Sequence, residues 1–135
     1  MQDIPAIGAQ SIQGTAINEH GEIVGVANMI PNQQPTNHGQ YSFSYLSGNS
    51  VNLGFEFVPT GINNSGQISG YVSDYYSGYF PAIIGPGGQY QDLGALFLTY
   101  GIQPTNGIAA DINDSGQILG FDGAHGPAIL LAPVK

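Results

Sequence analysis

The stretch Ile62-Asn63-Asn64-Ser65-Gly66-Gln67-Ile68-Ser69-Gly70 decides how this chain folds. Its pattern, Ile-Asn-x-x-Gly-x-Ile-x-Gly, occurs twice more, as Ile17-Asn18-Glu19-His20-Gly21-Glu22-Ile23-Val24-Gly25 and as Ile112-Asn113-Asp114-Ser115-Gly116-Gln117-Ile118-Leu119-Gly120. The central glycines, Gly21, Gly66 and Gly116, are spaced by 45 and then 50 residues, periods that mark repeat architectures.

Physically the pattern is a β-hairpin closed by a three-residue loop, a type I turn followed by a G1 bulge. Asparagine favours the first position of such a turn, and glycine takes the left-handed conformation without a steric penalty. The register sets Ile17 opposite Ile23, Ile62 opposite Ile68 and Ile112 opposite Ile118. β-Branched pairs of this kind contribute about 0.2–1 kcal/mol each. The closing glycines Gly25, Gly70 and Gly120 fall on the isoleucine face, where a small residue is expected to let a neighbouring sheet approach.

Outward from each hairpin come a variable loop and a second hairpin. The first copy continues with a strand over 40–46, a turn at Ser47-Gly48-Asn49 and a strand over 50–53. The second has strands over 79–84 and 89–93 around Gly85-Pro86-Gly87-Gly88. The third has 127–131 and is one strand short. Gln2-Asp3-Ile4 matches Gln91-Asp92-Leu93, so residues 2–4 are expected to complete the last unit and cover two open sheet edges. Residues 94–100 lie between Gly94 and nearby Gly101 and Pro104; they read as a linker with room for one helical turn.

The expectation is one all-β domain over 1–135, built from three four-stranded units at about 5–54, 55–94 and 95–135. The units would pack like β-propeller blades, with a β-trefoil as the alternative fold. Propellers use four to eight blades, so three would have to span about 120° each. Two chains would instead complete a six-bladed ring as a homodimer, a homo-oligomer with closed two-fold symmetry.

Composition narrows the function classes. Among 135 residues, 41% are hydrophobic and only 7% charged, and the 21 Gly and 9 Pro suit short strands joined by tight turns. One basic residue, Lys135, stands against nine acidic ones, and a net charge of −8 repels nucleic acid and anionic membrane surfaces. With no cysteine there is no disulfide, thiolate metal site or cysteine nucleophile. No apolar run reaches membrane-spanning length, so membrane insertion is not expected. Met1-Gln2-Asp3-Ile4 carries no signal peptide, which fits a cytosolic protein or a processed mature form.

The hairpin pattern, together with the strand Gln91-Asp92-Leu93-Gly94 and the closing Pro127-Ala128-Ile129-Leu130-Leu131-Ala132-Pro133-Val134, resembles the extracellular HAF repeat family. The His-Ala-Phe tripeptide itself is altered: His38 is separated from Ser42-Phe43, the second copy has no histidine, and His125 is followed by Gly-Pro-Ala-Ile. The resemblance implies export to an extracellular or periplasmic location and repeated four-stranded sheets. It implies no enzymatic activity.

Positions where the copies differ are candidates for function. Asp111 stands where the other copies have Ala16 and Gly61. An acid there fits a sugar hydroxyl, a cation, or a hydrogen bond within the strand. The segment Tyr71-Val72-Ser73-Asp74-Tyr75-Tyr76-Ser77-Gly78-Tyr79-Phe80 concentrates aromatic rings with polar tips. Tyr75, Tyr76 and Tyr79, with Asp74, are the expected ligand surface, suited to polysaccharide or to a protein partner, unless they fill the core. His38, His125 and Asp122 would bind zinc only if they converged at about 2.0–2.2 Å, which their spacing does not force. Asn113-Asp114-Ser115-Gly116 resembles a calcium-loop fragment, but hairpin geometry accounts for it. Neither metal nor cofactor is expected.

Catalysis has few residues to use, with no Arg, no internal Lys, no nucleophile elbow and no phosphate loop. A carboxylate pair about 5–9.5 Å apart, drawn from Glu19, Glu22, Asp74, Asp92 and Asp111, is the remaining enzymatic route. The leading expectation is a secreted, non-catalytic module for binding, with carbohydrate as ligand, or for surface structure. The alternatives are a glycan-processing enzyme and a self-assembling unit with no small ligand.

Overall fold

In all three copies the Ile-Asn pattern folds as the sequence predicts. The computed structural model describes residues 11–28, 40–55, 57–74, 78–86, 88–103, 106–122 and 128–131. The three hairpins are β1 (Ser11–Ile17) with β2 (Ile23–Asn28), β5 (Phe57–Ile62) with β6 (Ile68–Asp74), and β9 (Gly107–Ile112) with β10 (Ile118–Asp122). In each turn the Asn carbonyl accepts the Gly N–H at 3.0–3.1 Å, and Gly21, Gly66 and Gly116 have φ of 82°, 85° and 83°. The isoleucines pair in the expected register.

The remaining strands are β3 (Gln40–Leu46), β4 (Asn49–Phe55), β7 (Gly78–Ile84), β8 (Tyr90–Asp92) and β11 (Ala128–Leu131). They extend the hairpins into three antiparallel meanders, ordered β1-β2-β3-β4, β5-β6-β7-β8 and β11-β10-β9. The chain is therefore all-β, and among the described residues the sheets have four, four and three strands and form no closed barrel. The strand expected at residues 2–4 lies outside the described residues. The turn after β3 is one residue shorter than expected. Leu46 pairs with Asn49, and Ser47 and Gly48 have φ of 52° and 89°, as a two-residue type I′ turn requires.

Two expectations need correction. The segment read as a linker holds α1 (Gly94–Thr99), which buries Phe97 completely. Its end is a Schellman motif: Ile102 N–H reaches the Phe97 carbonyl at 3.1 Å, and Gly101, with φ 84°, reaches Leu98 at 3.0 Å. Phe97 and Ile102 share one apolar cluster, so packing stabilises a helix too short to stand alone.

The second correction concerns the closing glycines. Each first hairpin skips one residue, Thr15, Thr60 or Ala110, so that Gly14 faces Gly25, Pro59 faces Gly70 and Ala109 faces Gly120. This β-bulge pushes the partner strand into the glycine. A Cβ on Gly70 would lie 2.6 Å from the Phe57 ring and closer still to the Val58 carbonyl oxygen, and one on Gly25 would meet the Gln13 carbonyl. These two glycines serve their own sheet. Only Gly120 admits a neighbour, and that neighbour is the Phe97 ring, 2.7 Å from where a Cβ would stand. Gly70→Ala is expected to cost about 1–3 kcal/mol by overpacking, seen as a lower urea midpoint.

The core lies between successive sheets. Val24 of the first packs with Ile62, Ile68 and Ile84 of the second, and Ile83 of the second packs with Ile112, Ile118 and Leu131 of the third.

Candidate functional site

The three turns stand side by side, and their asparagines tie the sheets together. In the second copy the Asn63 carboxamide oxygen accepts the N–H of Ser65 at 3.1 Å and of Gln67 at 2.9 Å. Its amide nitrogen donates to Gln67 Oε1 at 2.7 Å and to the Asn113 carbonyl of the next sheet at 3.0 Å. That uses the full hydrogen-bonding capacity of the side chain. Asn18 repeats the arrangement, donating to Glu22 Oε1 at 3.3 Å and across to the Asn63 carbonyl at 3.0 Å. A turn preference alone does not require this set of partners. The sequence reading missed the inter-sheet link, although three invariant asparagines in one register were its visible signal.

The residues that follow form a second rail. Glu19 N–H donates to Asn64 Oδ1 at 2.8 Å, and Asn64 N–H donates to Asp114 Oδ1 at 2.7 Å. The Asn64 amide then bridges both carboxylates, to Glu19 at 3.0 Å and to Asp114 at 2.8 Å, so two like charges share one donor. Thr15, the bulge residue, donates to the Pro59 carbonyl at 3.2 Å, and Thr60 likewise to Ala109. Above this row lies an open groove of about 430 Å³, walled by the Ile-Asn pairs and the residue after each.

The expected ligand residues do not gather there. Tyr75 and Tyr76 lie outside the described residues. Asp74 ends β6, its backbone paired with Gly78. Tyr79 on β7 is 42% exposed and meets Tyr71 edge to face, with ring centres 5.3 Å apart and planes at 82°. Desolvation, and then the Tyr79 phenol, raise the Tyr71 pKa above its ordinary value.

Asp111 sits elsewhere. Tyr79 bridges to Asn106, five residues before Asp111 on the same run of chain, or about 16 Å away along an extended strand. Asp111 Oδ1 accepts its neighbour Ile112 N–H at 2.8 Å and occupies the space a side chain on Gly61 would need. Asp111 thus makes the strand hydrogen bond weighed as one of its roles.

Among the described residues, no group of three or more His, Cys, Asp or Glu side chains is placed to hold a metal ion. His38 and His125 are not among those residues, and Asp122 has an interaction partner of its own. No helix among the described residues is long and apolar enough to cross a membrane. Comparison with family models, with curated proteins and with solved structures returned no match to any of them.

Proposed function

We propose that this chain is a secreted, non-catalytic repeat module that binds carbohydrate at a bacterial surface. It would be of the HAF repeat kind and act outside the cytoplasm, extracellular or periplasmic. Its three sheets would stand radially, as propeller blades do, and a homo-oligomer would complete the ring. The triple hairpin pattern supports the family likeness. The observation that carries the binding role is the exposed Tyr79 ring, held edge-on by Tyr71 beside the segment that contains Tyr75, Tyr76 and Asp74. A tyrosine fixed by a second ring offers a flat apolar face and a hydroxyl at low entropic cost, as stacking on a sugar requires.

Most polar side chains of the turn row are engaged in tying sheet to sheet, which favours a scaffold over a reactive centre. The test is retention on polysaccharide. Tyr79→Ala is expected to weaken binding roughly three- to tenfold on a glycan array or in cell-wall pull-down, the scale of one aromatic contact. A blank array and pull-down with the wild-type protein would sink the carbohydrate reading. Turnover of any polysaccharide would sink the non-catalytic one.

A further inference from the structure

The asparagine ladder has a direction, and among the described residues it is open at both ends. Each turn donates to the next: Asn18 to the Asn63 carbonyl and Asn63 to the Asn113 carbonyl. Asn113 still reaches Gln117 Oε1 at 2.9 Å, but among the described residues no following sheet stands beyond it to receive its second N–H. At the other end, the Asn18 carbonyl accepts Gly21 N–H and, among the described residues, receives no asparagine from a preceding sheet. One end therefore offers the donor that the other end accepts.

The apolar faces are open at the same two ends. Ile62 and Ile112 are 7% and 6% exposed beneath the preceding sheet, whereas Ile17, their counterpart on the first sheet, is 64% exposed. Leu130 is 60% exposed on the far side of the third sheet, where its counterparts Ser44 and Ile83 are buried against the sheet that follows. Leu119 beside it is exposed as well, and its counterparts Val24 and Ser69 are fully buried. On the first sheet Phe43 and Tyr45 are already covered, and Tyr45 shares a cross-strand row with Ile23 and Ile17, so the opening is confined to the β1 edge of the turn end, beside the ladder. Among the described residues, each open face thus lacks the neighbour that the two internal junctions show how to supply.

We propose that the third sheet of one chain docks against the first sheet of a second copy, continuing the ladder. Asn113 donates to Asn18 of the partner subunit, while Leu119 and Leu130 cover Ile17 of the partner subunit. The threonine link is missing from this junction, because Ala110 has no hydroxyl. Asp114 there meets Glu19 of the partner subunit without the bridging amide that Asn64 supplies within the chain. This junction is accordingly weaker than the internal ones and is sensitive to charge. Closure into a ring of two chains rests on the radial arrangement proposed above; the junction itself does not.

The absence of cysteine permits a direct test. Position 16 corresponds to 61 and 111, and a Cβ at 61 would stand 3.1 Å from Asp111 Cα across the internal junction. In the double variant Ala16→Cys/Asp111→Cys, the two cysteines of one chain are separated by the whole second sheet, so a disulfide forms only between copies. Oxidation is expected to give covalent dimers alone on non-reducing electrophoresis. A ladder of higher multimers would support the junction and overturn the two-chain ring.

Sedimentation equilibrium on the unmodified 14.1 kDa chain and its exposed-site variants provides the check that needs no cross-link. Leu130→Glu is expected to abolish association, Leu98→Glu on the helix to leave it unchanged, and Asp114→Asn to tighten it by restoring a bridging amide. Monomer at every concentration, or association indifferent to Leu130→Glu, overturns the proposal.

Discussion

Asn63→Ala is expected to lower the stability of the fold by about 2–4 kcal/mol, read as a fall in urea midpoint at unchanged m. The side chain is 2% exposed and makes four hydrogen bonds, to Ser65, Gln67 twice, and Asn113. Its loss takes the side-chain acceptor from the Ser65 and Gln67 N–H groups and removes the link to the next sheet, leaving the Asn113 carbonyl with Gly116 N–H alone. Net hydrogen bonds are worth about 1 kcal/mol each, and unsatisfied buried groups cost about 1–3.

In the monomer the same change at Asn113 is expected to cost nearer 1 kcal/mol, because that side chain is exposed and makes no inter-sheet bond within the chain. Asn63→Asp keeps the shape and the two acceptor contacts but removes both donors. It is expected to fall close to Ala, which would show that the donors matter. Equal effects at positions 63 and 113 would mean that the asparagines only shape turns.

Phe97→Ala is expected to be the most damaging single substitution, at about 3–5 kcal/mol. The ring is fully buried and wedges between the second and third sheets, 2.7 Å from where Cβ atoms on Gly107 and Gly120 would stand. Those glycines exist to admit it, so they cannot fill the space it leaves, and a cavity persists. Leu98→Ala, on the exposed side of the same helix, is the control and is expected within about 0.5 kcal/mol of wild type. A Phe97→Ala loss no larger than that of Leu98→Ala would show the helix to be the loose linker its sequence suggested.

The hairpins were legible because their causes are local. Asn at the first turn position, Gly at the left-handed position and isoleucines at matched offsets act within nine residues, so periodicity and turn chemistry specify them. The sequence allowed one helical turn here but not its role, because Gly94-Ala95-Leu96-Phe97-Leu98-Thr99 is too short to fold on propensity alone and owes its form to the sheets around Phe97. The glycines were half legible. Their smallness was evident, but a bulge in the partner strand lies outside a pattern written on one strand. Asp111 stood out because it breaks the repeat, yet its distance from Tyr79 depends on which ends of the strands they occupy.

The sequence alone determined that the chain is a repeated all-β unit, since each copy carries a full set of turn and pairing instructions. Only the tertiary structure decided what those instructions are worth together. It turned the turn asparagines into rungs between sheets, made Phe97 the wedge behind the third sheet, and left Ile17 and Leu130 facing solvent. The rungs join residues 45 or 50 apart along the chain, and Phe97 meets glycines of another sheet; in both cases the partners are fixed when the sheets stack and not before.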